Sequence, residues 1–230
     1  MENTLKITNV LSDPTRFYIY EYIVQKNNEV TVLEIAEVFE IHPNVARLHL
    51  SKLEDVKMLI SSSKKTGKGG RPSRVYQLSH EEIGLSFPFR DYKLLSQIAI
   101  EAFSEMGEAG KQALYKTGEK FGKEMMQRSG VSSRSSLSKE ERLKIMKTAA
   151  EMIGLYPEFR PVSDSVFKFQ VNNCPFKDIA KKQSDIVCLM HEFFLKGMFE
   201  ALFEDMIWTE EHTIMDGCGS CLYKAELKQA

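Results

Sequence analysis

Residues 41–60 read "IHPNVARLHLSKLEDVKMLI", and the fold turns on them. Pro43 stands where the first turn of a helix tolerates proline, because that N–H has no helical partner to lose. From there Ala46, Leu50 and Leu53 recur at helical spacing and mark one apolar face. The opposite face carries Asn44, Arg47, Leu48 and Ser51, with Lys52 alongside. Upstream, "TVLEIAEVFE" (31–40) opens with Thr31 three residues before Glu34, a capping-box pattern, and offers Leu33, Ala36 and Phe39 to a core. A short turn at 40–42 separates these two helices. Farther back, "DPTRFYIYEYIVQ" (13–25) begins with Asp13 as N-cap and Pro14 at the first helical position. Phe17, Tyr20, Ile23 and Val24 then repeat at helical intervals. Downstream, "LISSS" (59–63) and "SRVYQLS" (73–79) are strand-like, and "KKTGKGGRP" (64–72) between them is a Gly-rich turn.

Helix, helix, short turn, helix and hairpin is the order of a winged helix-turn-helix. An α-helix fits the major groove, and Asn and Arg side chains suit bidentate contacts with adenine and guanine. Glycines in the hairpin tip let the backbone approach a duplex, and the surrounding cations neutralise phosphates. Between His42 and Ser79 there are eight Lys or Arg and two acids, a local charge of +6 in a chain whose net charge is −1. The residues outside that stretch therefore sum to −1 − 6 = −7. The ordinary alternatives are a solvated amphipathic helix and a basic surface loop, and either feature alone is weak. Together they point to double-stranded operator DNA, with His42, Pro43, Asn44, Arg47, Ser51, Lys52, Lys68, Arg71 and Arg74 as the contacting residues. The loop is no nucleotide-binding P-loop, because the Gly-Lys-Ser/Thr ending is absent.

These residues carry a resemblance. "IHPNVARLHLSKLEDVKMLI" resembles the recognition helix of ArsR- and DeoR-like bacterial regulators, and "GKGGRPSRVYQLS" resembles their wing. Three positions depart from that pattern. His42 stands where a Ser or Thr cap is usual, Glu40 replaces the turn Gly, and Lys57 stands where a Gly usually ends the helix.

The 230 residues are enough for one large or two ordinary domains, and 43% apolar with 27% charged residues reads as globular. No apolar run reaches the roughly 20 residues of a membrane helix. The start, "MENTLKITNVLSDPTRF", has early charge and no apolar signal core, so a cytoplasmic protein is expected. Structural disulfides are rare there, so clustered cysteines favour metal or redox chemistry. "DYKLLSQIAIEAFSEMG" (91–107) and "KQALYKTGEKFGKEMMQR" (111–128) read as helices interrupted at Gly107 and Gly110, a connecting and dimerising element. "SGVSSRSSLS" (129–138) is a polar loop, and Ser138 with Glu141 forms a second capping box before "KEERLKIMKTAAEMIGL". "SVFKFQV" (165–171) alternates like a strand. Residues 174–205 are helical with a break near Ser184, and "HTIMDGCGSCLYKAEL" (212–227) reads as a hairpin or a pair of strands.

All four cysteines lie in this second half: Cys174, Cys188, Cys218 and Cys221. A Cys-x-x-Cys turn with flanking glycines can bring two thiolates to one centre, and four thiolates satisfy tetrahedral zinc or a four-iron, four-sulfur cluster. His191, one turn after Cys188, is a spare ligand. Free cysteines are also commonly small buried hydrophobes. Spacing alone leaves zinc and iron–sulfur open. "NNCPFKDIAKKQSDIVCLMHEFFLKGMFEAL" (172–202) followed by "CLYKAEL" (221–227) resembles the sensor half of SufR-like repressors, winged-helix regulators of iron–sulfur cluster assembly. The resemblance spans nearly the whole chain, the middle helices least specifically. It implies an iron–sulfur cluster held through Cys174, Cys188 (with His191 as its Cys-x-x-His partner) and Cys221. Cys218 falls at a position less uniform among such proteins.

The expectation is an α+β protein. A winged helix-turn-helix occupies 1–85, a helical connector 86–129 and a mixed α+β sensor domain 130–230. Such a protein is a homodimeric DNA-binding regulator, not an enzyme. Two alternatives stand beside the cluster: structural zinc with a small organic ligand as the signal, and a thiol oxidoreductase using Cys218 and Cys221. The latter is disfavoured, because redox Cys-x-x-Cys motifs open a helix and this one runs into a strand-like segment.

Overall fold

A computed structural model describes the chain except residue 1 and residues 65–71, 80–82, 86–87, 129–136, 204 and 229–230. It divides into two compact units, Met1–Arg90 and Asp91–Ala230.

The first unit holds helices α1 (Glu2–Leu11), α2 (Pro14–Lys26), α3 (Val32–Val38) and α4 (Pro43–Asp55). Its strands are β1 (Val30–Thr31), β2 (Leu59–Lys64) and β3 (Ser73–Leu78), in the antiparallel order β1-β3-β2. Asp13 caps α2 by accepting from the N–H of Arg16 at 2.9 Å. Thr31 caps α3 by accepting from the N–H of Glu34 at 3.1 Å. The reciprocal half of that capping box is replaced: the Glu34 carboxylate accepts from Tyr22 Oη at 2.8 Å and pairs with Lys26. α1 and β1 go beyond the sequence expectation, and Ile7 and Val10 of α1 join the core. That core closes on Ile19, Ile23, Ile35, Ala46, Leu50, Leu53 and Tyr76. Each fully buried Leu or Ile contributes about 1.5–3 kcal/mol by leaving water.

Two expected core residues point outward instead. Phe17 is 39% exposed and Leu33 is 70% exposed, while Ile19 and Ile35, two positions on, are fully buried. In both helices the apolar residues outnumber the inward positions, so spacing alone misassigns the buried row. The three departures noted in the sequence each have a structural answer. His42 does the capping itself, its Nδ1 accepting from the N–H of Asn44 at 3.2 Å. Glu40 and Lys57 take φ of 53° and 62°, the left-handed conformation that glycine adopts without strain.

The second unit is α+β. It contains α5 (Tyr92–Glu105), α6 (Glu108–Arg128), α7 (Lys139–Met152), β4 (Pro157–Pro161), β5 (Val166–Val171), α8 (Lys177–Ala180), α9 (Ser184–Glu200), β6 (Met206–His212) and β7 (Cys221–Leu227). The sheet is antiparallel in the order β4-β5-β7-β6. The break between α5 and α6 falls at Gly107, whose φ is 61°. Gly110, expected as a second interruption, lies inside α6, where a Cβ would sit 1.9 Å from the Phe103 carbonyl oxygen. Ser138 and Glu141 form the complete capping box of α7. The loop expected at 129–138 lies mostly outside the described residues.

Two close backbone approaches place α9. A Cβ on Gly122 of α6 would meet the Phe194 oxygen at 2.0 Å, and one on Gly197 of α9 would meet the Glu119 oxygen at 2.2 Å. With α9 so held, Phe199 packs edge-on to Phe169 of β5 at 5.0 Å. Phe167, Phe169 and Val171 of β5 alternate inward, paired in register with Ala225, Tyr223 and Cys221 of β7. Among the described residues no helix is long and apolar enough to cross a membrane.

Candidate functional site

In the first unit, chemistry lies on an exposed helix face. Ala46, Leu50 and Leu53 anchor α4 inward, which leaves Asn44, Arg47, Leu48 and Lys52 exposed and Ser51 half-buried. Arg47 Nη1 reaches Asn44 Oδ1 at 3.5 Å, so the two base-reading types stand side by side. His42 and Pro43 begin the same helix. Arg74 of β3 is tied to the protein. Its guanidinium holds Glu54 at 2.7 Å, donates to Ser61 Oγ at 2.9 Å and lies over the Tyr76 ring. Lys68 and Arg71 lie outside the described residues. His49, on the inner side of α4, is buried, and burial lowers its pKa.

In the second unit, chemistry lies on core positions. Along α9, Cys188, His191, Leu195 and Phe199 form one stripe at helical spacing. Its C-terminal half packs on the sheet, and its N-terminal half carries the thiol and the imidazole. Cys174 follows β5 in a pinned loop: Asn173 donates from Nδ2 to the Gly154 oxygen at 2.7 Å, and the Lys177 N–H bonds the Cys174 oxygen at 3.1 Å. Cys221 opens β7 on the inward face, and its Sγ accepts from the Ile214 N–H at 3.3 Å. That contact is set by a short 3-10 turn, Ile214–Asp216, capped reciprocally by Thr213 and Asp216 and closed by Gly217 at φ 84°. Cys218 is half-buried in the turn leading to Cys221.

Cys174 Sγ lies 3.7 Å from His191 Nδ1. His191 is 3% exposed, Phe176 stands edge-on to its ring at 5.1 Å, and Nε2 has no hydrogen-bond partner among the described residues. Burial alone lowers its pKa to about 4, so the imidazole is neutral. Burial pushes the Cys174 thiol up to about 12, and the neighbouring Cys221 and Cys188 push it the same way. Cys188 rises to about 11, first through burial and then through Cys221 and Glu210. Cys221 is raised by burial as well. Three thiols and one imidazole are thus gathered in neutral form.

Glu210 and Glu192, absent from the sequence reading, border this nest. Partial loss of hydration raises both above the usual carboxylate value, Glu192 half-buried and Glu210 with much of its surface still open to water, and Glu210 adds to the effect on Glu192. Nothing in their spacing announces them, since β6 and α9 bring them near only in the folded chain. Among the described residues no three His, Cys, Asp or Glu side chains form a group that holds a metal ion. With Zn–S bonds of about 2.3 Å, a single zinc needs its sulfurs nearly in contact. The donors' soft thiol and imidazole chemistry suits zinc and a sulfur-ligated iron cluster alike, and either would have to displace the thiol protons on binding.

A separate cavity of about 670 Å³ opens between α6, α7 and α9, walled by Phe121, Met125, Ile145, Ala149, Ile153 and Phe194. Phe194 stacks on His191 at 6.4 Å, so one ring borders both the cavity and the nest.

Comparison with known proteins divides the chain in the same way. Residues 11–61 match the helix-turn-helix domain family. Residues 91–224 match the family described as L-2-amino-thiazoline-4-carboxylic acid hydrolase. No curated protein matches the chain. Solved structures resemble the chain only at a distance, and two of them illustrate it. One is the phenol-responsive sensory domain of the transcription activator PoxR with phenol, 16% identical over 79% of this chain and 89% of that one, TM-score 0.49. The other is trafficking protein particle complex subunit 3 from Naegleria fowleri covalently bound to palmitic acid, 19% identical over 60% and 97%, TM-score 0.39. Both likenesses are too distant to bear on function.

Proposed function

The chain belongs to the L-2-amino-thiazoline-4-carboxylic acid hydrolase family, and we propose that in this member the family's fold serves as the sensor of a cytoplasmic DNA-binding transcription regulator. The observation that carries the reading is the exposed row Asn44, Arg47, Leu48 and Lys52 on α4 of a helix-turn-helix domain, in one chain with a buried thiol–imidazole nest. α4 enters the major groove of operator DNA, and a homodimer doubles the half-site. The apolar residues Tyr92, Leu95, Ile98 and Met106, all exposed on or beside α5, support a second copy as its partner.

The input is an iron–sulfur cluster held by Cys174, Cys188 and Cys221, with His191 or Cys218 as the fourth donor. The cluster supplies a centre whose loss or oxidation changes the energy of the surrounding fold. The protein's part is to gather the thiols, exclude water and pass the change along α9. A few kcal/mol of difference between two conformations is enough to shift operator binding. The second reading, a small organic ligand as the signal, is favoured by the 670 Å³ cavity, which falls in the usual size range of small-molecule sites. The family's name favours a third, hydrolytic reading, with Cys174 beside His191. Its weakness is that burial keeps both groups neutral and leaves no activated nucleophile.

The test is anaerobic purification, followed by an absorbance spectrum, iron, sulfide and zinc analysis, and selection of binding duplexes from a random library. Iron with sulfide, and at least about tenfold difference in duplex affinity between intact and air-bleached protein, supports the cluster reading. Metal-free protein that selects a duplex shifts the reading to the organic signal. Failure to select any duplex, with hydrolysis of L-2-amino-thiazoline-4-carboxylic acid, overturns the regulator in favour of an enzyme.

A further inference from the structure

The cavity between α6, α7 and α9 has a chemistry of its own. Its walls are apolar, and two of them are aromatic rings, Phe121 and Phe194. Met125 and Met152 add unbranched thioethers, which adapt to ligands of varied outline. Phe121 and Met152 are largely exposed, so an occupant that covers them removes apolar surface from water.

Polar groups enter only at the edge: Glu124, Arg128, Lys144 and Thr148. Glu124 is already shared by two cations, Lys120 at 3.7 Å and Arg128 at 3.9 Å. The lining thus has two cations against one acid that is already engaged, an excess of positive charge. Lys144 and Thr148 are four residues apart on α7, one above the other on the same exposed face. An ammonium and a hydroxyl on one helix face can both donate to the oxygens of a carboxylate.

We infer that this groove is a binding site for a small amphiphilic carboxylate, its apolar body lying against Phe121, Met125 and Phe194 and its carboxylate meeting Lys144 and Thr148. A neutral hydrocarbon leaves Lys144 without a counter-charge among the described residues, and an amine places like charges together. The inference rests on the organic-signal reading for its regulatory role but not for the existence of the site. Binding is measured without DNA, so failure of one leaves the other standing.

The experiment is titration calorimetry on the full chain with octanoate and 3-phenylpropanoate. Octanol and 3-phenylpropanol serve as uncharged comparators of the same body. Each acid should bind at least about tenfold more tightly than its alcohol, the scale of one charge-assisted hydrogen bond. Lys144→Glu should reverse that preference. Thr148→Trp, at an exposed position where the fold is not at risk, should block both acids. Absence of binding by either acid overturns the site, and so does an acid preference that survives Lys144→Glu. Sedimentation velocity on Thr148→Trp supplies the remaining outcome: if the indole changes the oligomeric state, the groove is a subunit interface and the ligand site falls.

Discussion

α4 and α9 are both amphipathic helices carrying reactive side chains, and they use them in opposite ways. α4 buries Ala46, Leu50 and Leu53 and leaves Arg47 and Lys52 in water. Its core row and its polar row are separate, so each can change without the other. α9 has no such separation. Cys188 and His191 continue the stripe that holds Leu195 and Phe199 in the core. Burial sets their charge state: the thiols are driven up and the imidazole down. A surface site can therefore be tuned residue by residue, whereas a core site shares its fate with the packing around it.

The largest expected effect breaks the core site through packing. Gly122→Val places a branched side chain where even a Cβ meets the Phe194 oxygen at 2.0 Å. Such overpacking against backbone should cost about 3 kcal/mol or more. Hydrogen exchange should show lost protection across 91–228 with residues 2–79 unchanged. Equal loss in both units would mean that they do not fold separately.

The surface site should respond without any change in stability. Arg47→Ala is expected to weaken binding to a selected duplex by about 1–3 kcal/mol, with an unaltered melting temperature. If affinity is unchanged, the reading face of α4 is wrong.

A smaller effect concerns how α2 begins. Asp13→Ala removes the acceptor for the Arg16 N–H and should cost about 1 kcal/mol at neutral pH. That hydrogen bond is the main cause holding the Asp13 carboxyl below its ordinary 3.8. A depressed carboxyl stabilises above its unfolded pKa and loses that contribution as pH falls through the folded one. The difference between parent and variant should therefore shrink below about pH 4 in urea melts. A difference that holds constant into acid would show that the ionised cap is not its source.

The smallest expected effect is a gain. Glu40, at φ 53°, carries left-handed strain of about 1–2 kcal/mol, partly offset by the greater chain entropy of glycine. Glu40→Gly should raise stability by about 0.5–1 kcal/mol in denaturant titration. No comparable glycine substitution is available along the α9 stripe, where every residue is already in a helical conformation.

The sequence by itself determined the helix-turn-helix unit. Asp13, Pro14, Thr31 and Pro43 start their helices through local hydrogen bonds and fixed φ, and Ala46, Leu50 and Leu53 repeat with the helical period. Such effects act within a few residues and are therefore written along the chain. Even the departures at His42, Glu40 and Lys57 kept their backbone roles, because position imposed the conformation. Ser138 with Glu141, the break before Ser184 and the alternation of 166–171 were legible for the same reason. Which row faces inward was not, where apolar residues outnumber inward positions, as Phe17 and Leu33 show.

The second unit's sites were only half legible. Four cysteines and a histidine are visible in the sequence, but not that Cys174 lies 3.7 Å from His191, seventeen residues on. That distance depends on the glycine-permitted crossing of α6 and α9 and on the register of β5 with β7. Glu192 and Glu210 border the nest with no motif to mark them, and the cavity over Phe194 takes its walls from three helices far apart in the chain. Burial and proximity between distant segments set these charges and shapes, and both are properties of the packed chain that no local window of residues contains.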